Sequence, residues 1–325
     1  MTVLSDAFQR PINYLRVSIT DRCNLRCVYC MPEEGVTLWP HSEILRYEEI
    51  LTVAQAAAAL GINKLRLTGG EPLVRAQLAD LVRMLCTVPG VDDMALTTNG
   101  VLLKQHAAEL RQAGLKRVNV SLDSLRGERY SRITRRGRLE DVLAGIDAAK
   151  AAGLHPVKVN VVVMQGINDD EVIDFARLTL SEGWHVRFIE LMPFAPDDHL
   201  NFVATSEVKE RLQSLGPLEP CLPGHGNGPA KYFRFPGATG TVGFISPVTE
   251  HICFRCNRLR LTADGKLRPC LLSDFEVDLK QPLRSGASLE HLKGLICEAV
   301  AAKPERHHLS EGVRPTARAM GQVGG

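Results

Sequence analysis

Three cysteines near the amino terminus constrain this chain more than any other feature. Cys23, Cys27 and Cys30 are spaced C-x3-C-x2-C, and Tyr29 stands just before the last of them. Thiolates this close together can fold around one metal centre. Three of them suit a [4Fe–4S] cluster whose fourth iron stays open to a small molecule. Because a strand-like run at 15–20 precedes them, the spacing predicts an iron–sulfur site at the end of the first strand.

Two other interpretations of these cysteines stay open at this point. A zinc knuckle needs four ligands, usually in C-x2-C pairs, and His41 is the available fourth ligand. A redox pair formed by Cys27 and Cys30 usually opens a helix of a small thioredoxin-like unit. Neither interpretation explains the third cysteine, so the cluster is favoured.

A second triplet lies near the carboxyl terminus. Cys253, Cys256 and Cys270 are spaced C-x2-C-x13-C. A zinc ribbon with His251 as fourth ligand is a competing interpretation. Next to the first triplet, a second iron–sulfur cluster with an open iron is the better prediction.

Composition and charge narrow the class of protein. The formal net charge of the 325 residues is only +2, which does not indicate a nucleic-acid partner. The nine cysteines are mostly clustered in a long chain, so we expect a reducing compartment, the cytoplasm, rather than a secreted disulfide scaffold. The first 20 residues lack an apolar signal segment, and no apolar run approaches the roughly 18 residues of a membrane helix.

Strands and helices are predicted to alternate up to about residue 195. The predicted strands are 15–20, 64–68, 93–98, 117–122, 157–163 and 186–191, and the predicted helices are 47–60, 75–86, 102–113, 139–152 and 169–181, with a further helix at 206–215. Such alternation implies a parallel sheet with right-handed crossovers. Six units are too few to close an eight-stranded barrel, so we predict an open, partial (β/α)6 barrel of the TIM type. We expect it to span residues 1–220, with a carboxyl-terminal extension at 221–325 that carries the second triplet.

Polar residues follow the predicted strands at their carboxyl ends, where barrel enzymes place their chemistry. The second strand runs into Gly69, Gly70 and Glu71, and the two glycines would let the backbone approach a ligand closely. Arg16, Arg66 and Lys158 interrupt otherwise apolar strands. Arginine forks suit phosphate oxygens, so these positions predict a positive cavity despite the small net charge of the chain.

The first triplet resembles that of the radical S-adenosylmethionine (SAM) superfamily. The second triplet, the Arg258-Leu259-Arg260 run and the terminal Gly324-Gly325 pair resemble one family within it, the GTP 3′,8-cyclases of molybdenum-cofactor (molybdopterin) biosynthesis. The resemblance extends nearly from end to end. The usual family ending has Ser where Gly321 stands and Ile where Val323 stands, but the two final glycines are present.

The resemblance assigns roles to residues. It implies a SAM-binding [4Fe–4S] cluster on the first triplet and a second [4Fe–4S] cluster, contacting guanine, on the second. The implied SAM contacts are Tyr29, Gly70, Ser121 and Met192. The implied GTP contacts are Arg16, Arg66, Thr97, Lys158, Arg258, Leu259 and Arg260. Gly324 and Gly325 are the implied catalytic tail, which we expect to enter the barrel mouth.

The resemblance also implies a lyase reaction. A 5′-deoxyadenosyl radical from SAM takes the hydrogen at C3′ of GTP, C3′ bonds to C8, and one electron and one proton complete 3′,8-cyclo-7,8-dihydro-GTP. A low-potential electron donor and the next enzyme of the pathway are the implied partners, and a homodimer is left open. Another two-cluster radical SAM enzyme and a zinc-stabilised, non-catalytic binding module are the alternatives.

Overall fold

The computed structural model describes residues 4–194, 200–222, 228–250, 252–311 and 313–324. Its strands, in chain order, are β1 (Tyr14–Ser18), β2 (Lys64–Thr68), β3 (Asp93–Thr98), β4 (Arg117–Ser121), β5 (Val157–Val163), β6 (His185–Glu190), β7 (Glu219–Pro220), β8 (Lys231–Arg234), β9 (Thr241–Ile245), β10 (Arg258–Leu261), β11 (Lys266–Arg268) and β12 (Val277–Asp278).

The α-helices in the same residues are α1 (Tyr47–Ala59), α2 (Leu78–Cys86), α3 (Leu103–Gln112), α4 (Gly127–Thr134), α5 (Leu139–Ala151), α6 (Val172–Ser181), α7 (Thr205–Leu212), α8 (Lys280–Arg284) and α9 (Leu289–Ala301). Two helices begin three residues later than predicted: Gln77, with a left-handed backbone conformation, precedes the helix that begins at Leu78, and a 3₁₀ turn at Asp169–Glu171 precedes the one that begins at Val172. Helix α4 was not predicted. None of the helices in the described part of the chain is both long and apolar enough to cross a membrane.

All the strands belong to one sheet, in the order β12-β11-β10-β1-β2-β3-β4-β5-β6-β9-β8-β7. The six predicted strands, β1 to β6, are adjacent and parallel, which confirms the predicted open α/β barrel. The segment after β6 does not form a sheet of its own. It adds β10 parallel to β1 at one edge and β9 parallel to β6 at the other, and antiparallel strands flank both.

Alternation along the strands separates the apolar core from the inside of the barrel. Leu15 and Val17 of β1 are each 1% exposed and belong to the core cluster beneath the helices, whereas Arg16 between them lines the interior cavity. Successive side chains of a strand point to opposite faces, so a charged residue inside an apolar strand lies on the interior face. This pattern positions the candidate site.

Candidate active site

The first cysteine triplet lies in the loop that follows β1, and the turn after β2 supports this loop. Gly70 donates a backbone hydrogen bond to the Thr20 carbonyl (2.7 Å), and Glu71 donates one to the Arg22 carbonyl (2.7 Å). A Cβ atom on Gly70 would lie 2.3 Å from the Arg22 carbonyl oxygen. Gly70 therefore lets the backbone of the cysteine loop come close, a reason that differs from the predicted approach of a ligand.

The three cysteines of this loop are half-buried and line the same cavity. Burial raises the pKa of Cys23 to about 11 and that of Cys30 to about 12, and it raises the pKa of Cys27 well above its ordinary value. Backbone N–H groups face two of the sulfurs, from Leu25 to Cys23 (3.4 Å) and from Gly321 to Cys30. Thiolates at such a site need a positive partner, and soft thiolate ligands suit the irons of an iron–sulfur cluster.

Tyr29, inside the triplet, is fixed by a buried carboxylate. Its hydroxyl donates to Asp123 Oδ2 (2.7 Å), and the Val162 N–H donates to Asp123 Oδ1 (2.8 Å). Burial raises the pKa of Asp123 to about 6, although both hydrogen bonds favour the ionised form. Asp123 thus orients its neighbours at the carboxyl ends of β4 and β5.

The second triplet lies at the opposite end of the sheet. Cys256 precedes the amino end of β10, and Arg258 pairs in register with Tyr14 at the start of β1. The first triplet follows the carboxyl end of β1, four residue steps further along. At ~3.3 Å per residue, the strand positions next to the two triplets are separated by about 13 Å along the strand direction.

The thiols of the second triplet differ in their electrostatics. Burial raises the pKa of Cys253. Burial also opposes ionisation of Cys256, but the positive charges of Arg258 and Lys303 and their hydrogen bonds outweigh it and lower the pKa of Cys256 to about 6. Thiolate formation is therefore favoured at Cys256.

Within the described residues, no three His, Cys, Asp or Glu side chains lie close enough together to hold one metal ion. A single zinc ion needs its sulfurs at about 2.3 Å from a common centre. The ligands of a cluster bind different irons and lie further apart.

A row of arginines crosses the barrel interior between the two triplets. Arg260 of β10 pairs in register with Arg16 of β1, and Arg16 pairs with Arg66 of β2. Arg187 and Arg258 line the same cavity. Burial, together with the nearby like charges, lowers the pKa of Arg16 to about 10. Such a cluster of buried cations is costly unless an anion binds among them.

One cavity connects these features. Its wall includes all six cysteines of the triplets, and it also includes most of the predicted contacts: Tyr29, Gly70, Ser121, Met192, Arg16, Arg66, Thr97, Arg258 and Arg260. Thr97 Oγ1 accepts a hydrogen bond from Arg66 (3.4 Å). The structure thus brings nearly all of the predicted residues to one continuous space.

Two predicted GTP contacts lie outside this cavity wall. Leu259 is fully buried in the apolar core, because the alternation of β10 turns it away from Arg258 and Arg260. Lys158 lies near the amino end of β5, in a second cavity, where its ammonium group is 3.3 Å from the Tyr232 hydroxyl. Burial lowers the pKa of Lys158 to about 7. The sequence alone did not reveal that Lys158 lies at the amino end of β5, in a different cavity from the arginines.

The carboxyl-terminal tail enters the cavity beside the first triplet. The Gly324 carbonyl accepts a hydrogen bond from Arg260 Nη1 (3.0 Å). A Cβ on Gly324 would lie 3.0 Å from Thr68 and 3.3 Å from Ser18, at the carboxyl ends of β2 and β1. Gly325 lies outside the described residues.

Known families match both parts of the chain. The model of the Radical SAM superfamily matches residues 17–179, and that of Molybdenum Cofactor Synthesis C matches residues 184–309. The GTP 3′,8-cyclase of Pelotomaculum thermopropionicum is 57% identical over 99% of this chain and 100% of its own length. This chain belongs to the GTP 3′,8-cyclase family. The GTP 3′,8-cyclase of Moorella thermoacetica is 55% identical, over 99% of this chain and 100% of its own length.

Solved structures are similar to this GTP 3′,8-cyclase family member in fold. Streptococcus suis SuiB bound to S-adenosylmethionine has a TM-score of 0.60 at 12% identity, covering 88% of this chain and 68% of that chain. A radical SAM methyltransferase from Sphaerobacter thermophilus has a TM-score of 0.50 at 20% identity, covering 70% and 65%. At these identities, the similarity shows the shared radical SAM fold.

The sequence analysis of this family member missed the cavity residue Arg187 and the cation Lys303, which acts on Cys256. Arg187 lies on β6 between the buried Val186 and Phe188, the same signal that revealed Arg16 and Arg66. Its Nη2 donates to Asn119 Oδ1 (2.5 Å). Lys303 had no comparable signal in the sequence, because it follows a helix and is distant from both triplets along the chain.

Proposed function

We propose that this chain converts GTP to (8S)-3′,8-cyclo-7,8-dihydroguanosine 5′-triphosphate, an early step of molybdenum-cofactor biosynthesis. One observation supports this most strongly: a single cavity has a cysteine triplet at each end and a cluster of arginines between them. Membership of the GTP 3′,8-cyclase family gives the reaction that such a cavity serves.

The residues fit two [4Fe–4S] clusters and SAM. Each triplet offers three soft thiolate ligands and so leaves one iron open. At the first triplet, N–H donors already face the sulfurs of Cys23 and Cys30, which favours anionic sulfur. We propose that the neighbouring cavity wall, which includes Tyr29, Ser121 and Met192, binds the nucleoside and methionine groups of SAM.

The arginines fit the triphosphate. A nucleoside triphosphate bears several negative charges, and Arg16, Arg66 and Arg260 lie in register on three adjacent strands. Arg187 adds a further cation from β6. Guanidinium forks bind phosphate oxygens in pairs, so binding of GTP would compensate the mutual repulsion of these buried charges.

When bound, the clusters and SAM supply the electron and the 5′-deoxyadenosyl radical that this chemistry requires. The protein binds, orients and encloses the reactants. Asp123 holds Tyr29 in place, and Arg260 connects the tail at Gly324 to the arginine row. We propose that the tail and the arginines together hold the ribose so that C3′ faces the SAM end of the cavity.

Product formation tests the proposal. The chain, reconstituted anaerobically with iron and sulfide, is incubated with GTP, SAM and a strong reductant, and the nucleotides are identified by mass spectrometry. We expect about eight irons per chain, 5′-deoxyadenosine and the cyclised nucleotide. A matched Cys256→Ala sample should retain SAM cleavage and lose the nucleotide product.

Other results would contradict the proposal. Abundant 5′-deoxyadenosine with unchanged GTP would favour another two-cluster radical SAM enzyme. Zinc without sulfide would favour the non-catalytic binding module. The low-potential electron donor, transfer of product to the next enzyme, a homodimer and a cytoplasmic location stay predictions.

A further inference from the structure

Lys303, just beyond the end of α9, is a buried cation, and its side chain reaches the second triplet. It is only 3% exposed. Its ammonium group donates to the Arg258 carbonyl (2.9 Å) and to the Pro269 carbonyl (2.5 Å). In the part of the chain that the structure describes, no carboxylate forms an ion pair with it. Burying an ammonium group costs free energy, and carbonyl partners do not neutralise its charge. The burial of Lys303 therefore indicates that a positive charge is required at this position.

The two carbonyls flank two of the cysteines. Arg258 is two residues after Cys256, and Pro269 directly precedes Cys270. The same ammonium group also hydrogen-bonds the Cys256 side chain. Lys303 therefore ties together the two chain segments that carry Cys256 and Cys270, and it places its charge against one of the sulfurs.

The segment that carries Lys303 is itself held in place. Arg10 donates to the Pro304 carbonyl (2.7 Å) and the Glu305 carbonyl (2.7 Å), and also to the Cys253 carbonyl (2.8 Å). Asp6 pairs with the Arg10 guanidinium at 2.5 Å. The position of Lys303 relative to the second triplet is therefore fixed from both sides.

We infer that Lys303 is a positioning residue for the cluster of the second triplet, and that its charge raises the reduction potential of that cluster. The inference rests on the proposed function, which places a [4Fe–4S] cluster there. Net charge and hydrogen bonds to the sulfurs set the potentials of such clusters. One-electron reduction adds negative charge, and an adjacent buried ammonium stabilises the reduced form more than the oxidised form.

The test is a reductive titration followed by electron paramagnetic resonance. Wild type, Lys303→Gln and Lys303→Arg are compared as full-length, two-cluster proteins, and the signal that SAM does not alter is assigned to the second cluster. Lys293→Gln is the matched control, since Lys293 lies on α9 and pairs with Glu290, whose side chain is 80% exposed.

For Lys303→Gln we expect a shift of the second cluster's reduction equilibrium by about tenfold toward the oxidised form, which is ~59 mV for a one-electron couple. The first cluster and the Lys293→Gln control should not change, and Lys303→Arg should stay near wild type. A Lys303→Gln protein with full iron content and a wild-type potential of the second cluster would overturn the inference.

Loss of the second cluster is the other informative result. If Lys303→Gln holds about half the iron and Lys303→Arg restores it, the positioning role is supported. If Lys303→Arg loses the cluster as well, shape rather than charge is required, and the inference is wrong. None of these measurements needs turnover, so a protein that holds both clusters but does not cyclise GTP would refute only the proposed function.

Discussion

Arg318 anchors the carboxyl-terminal tail, and its removal should release the tail from the cavity. Its guanidinium makes a two-pronged contact with Asp264 (2.9 Å for both pairs) and contacts Glu276 at 2.6 and 2.9 Å. The Arg318 and Asp264 side chains are 9% and 5% exposed. Six residues further on, Gly324 reaches Arg260. The anchor therefore decides where the tail can lie.

The expected magnitude follows from these contacts. Removing one partner of a buried ion pair costs about 3–5 kcal/mol. We expect the lower limit, about 3 kcal/mol, because Glu276 keeps its contact with Arg268 after the change. At about 1.4 kcal/mol per factor of ten, Arg318→Ala should lower the ratio of docked to undocked tail about a hundredfold.

Hydrogen exchange measured by mass spectrometry reads this ratio directly. Amides of 320–324 should exchange about a hundredfold faster in Arg318→Ala, and cyclisation should fall while iron content stays unchanged. Arg306→Ala is the control, because its pair with Glu311 is about half exposed and is worth under ~1 kcal/mol. Unchanged tail exchange with full activity in Arg318→Ala would refute the anchoring role.

Three further predictions concern single buried side chains. Arg66→Ala should weaken GTP binding by about 1.5–3 kcal/mol and guanosine binding much less, as measured by calorimetry; equal losses would place Arg66 at the base or ribose. Glu190 accepts four hydrogen bonds, two on each carboxylate oxygen. Glu190→Gln should therefore lower the free energy of unfolding by about 2–6 kcal/mol, since two donors lose their acceptor, and an unchanged denaturant midpoint would contradict this. Burial, aided by three nearby arginines, lowers the pKa of Lys158 to about 7, whereas the unfolded chain keeps the proton to about pH 10. Between pH 7 and about pH 10, unfolding therefore takes up a proton. The destabilisation of the folded state by Lys158 has its full value below pH 7 and disappears as the pH rises toward 10. The gain in unfolding free energy from Lys158→Met should be larger at pH 6.5 than at pH 9.5, and a pH-independent gain would exclude this explanation.

Local patterns were sufficient to predict the sheet. The six strands of the barrel are short apolar runs separated by amphipathic helices, and this rhythm depends on neighbours in sequence. Helix α4 was missed because it is short and mostly polar, with Tyr130 and Ile133 as its main buried residues. It forms where the chain packs on the cysteine loop, through the hydrogen bond from Val28 N–H to the Ile133 carbonyl.

Contacts between distant segments could not be predicted in the same way. The spacing of the cysteines predicted the two triplets, but only the pairing of β10 with β1 sets them at opposite ends of one cavity. The charged positions inside strands were visible, yet their depth was not, and so Lys158 was grouped with Arg16 and Arg66. The partners of Lys303 and Arg318 lie 34 or more residues away, where no periodicity links them.

Transfer of the C3′ hydrogen tests the central claim most directly, that SAM and GTP meet in one cavity between the two triplets. GTP carrying deuterium at C3′ is incubated with the reconstituted protein, unlabelled SAM and reductant, and the 5′-deoxyadenosine is analysed by mass spectrometry. We predict 5′-deoxyadenosine that carries one deuterium, formed together with the cyclised nucleotide. Unlabelled 5′-deoxyadenosine alongside intact labelled GTP would contradict the account.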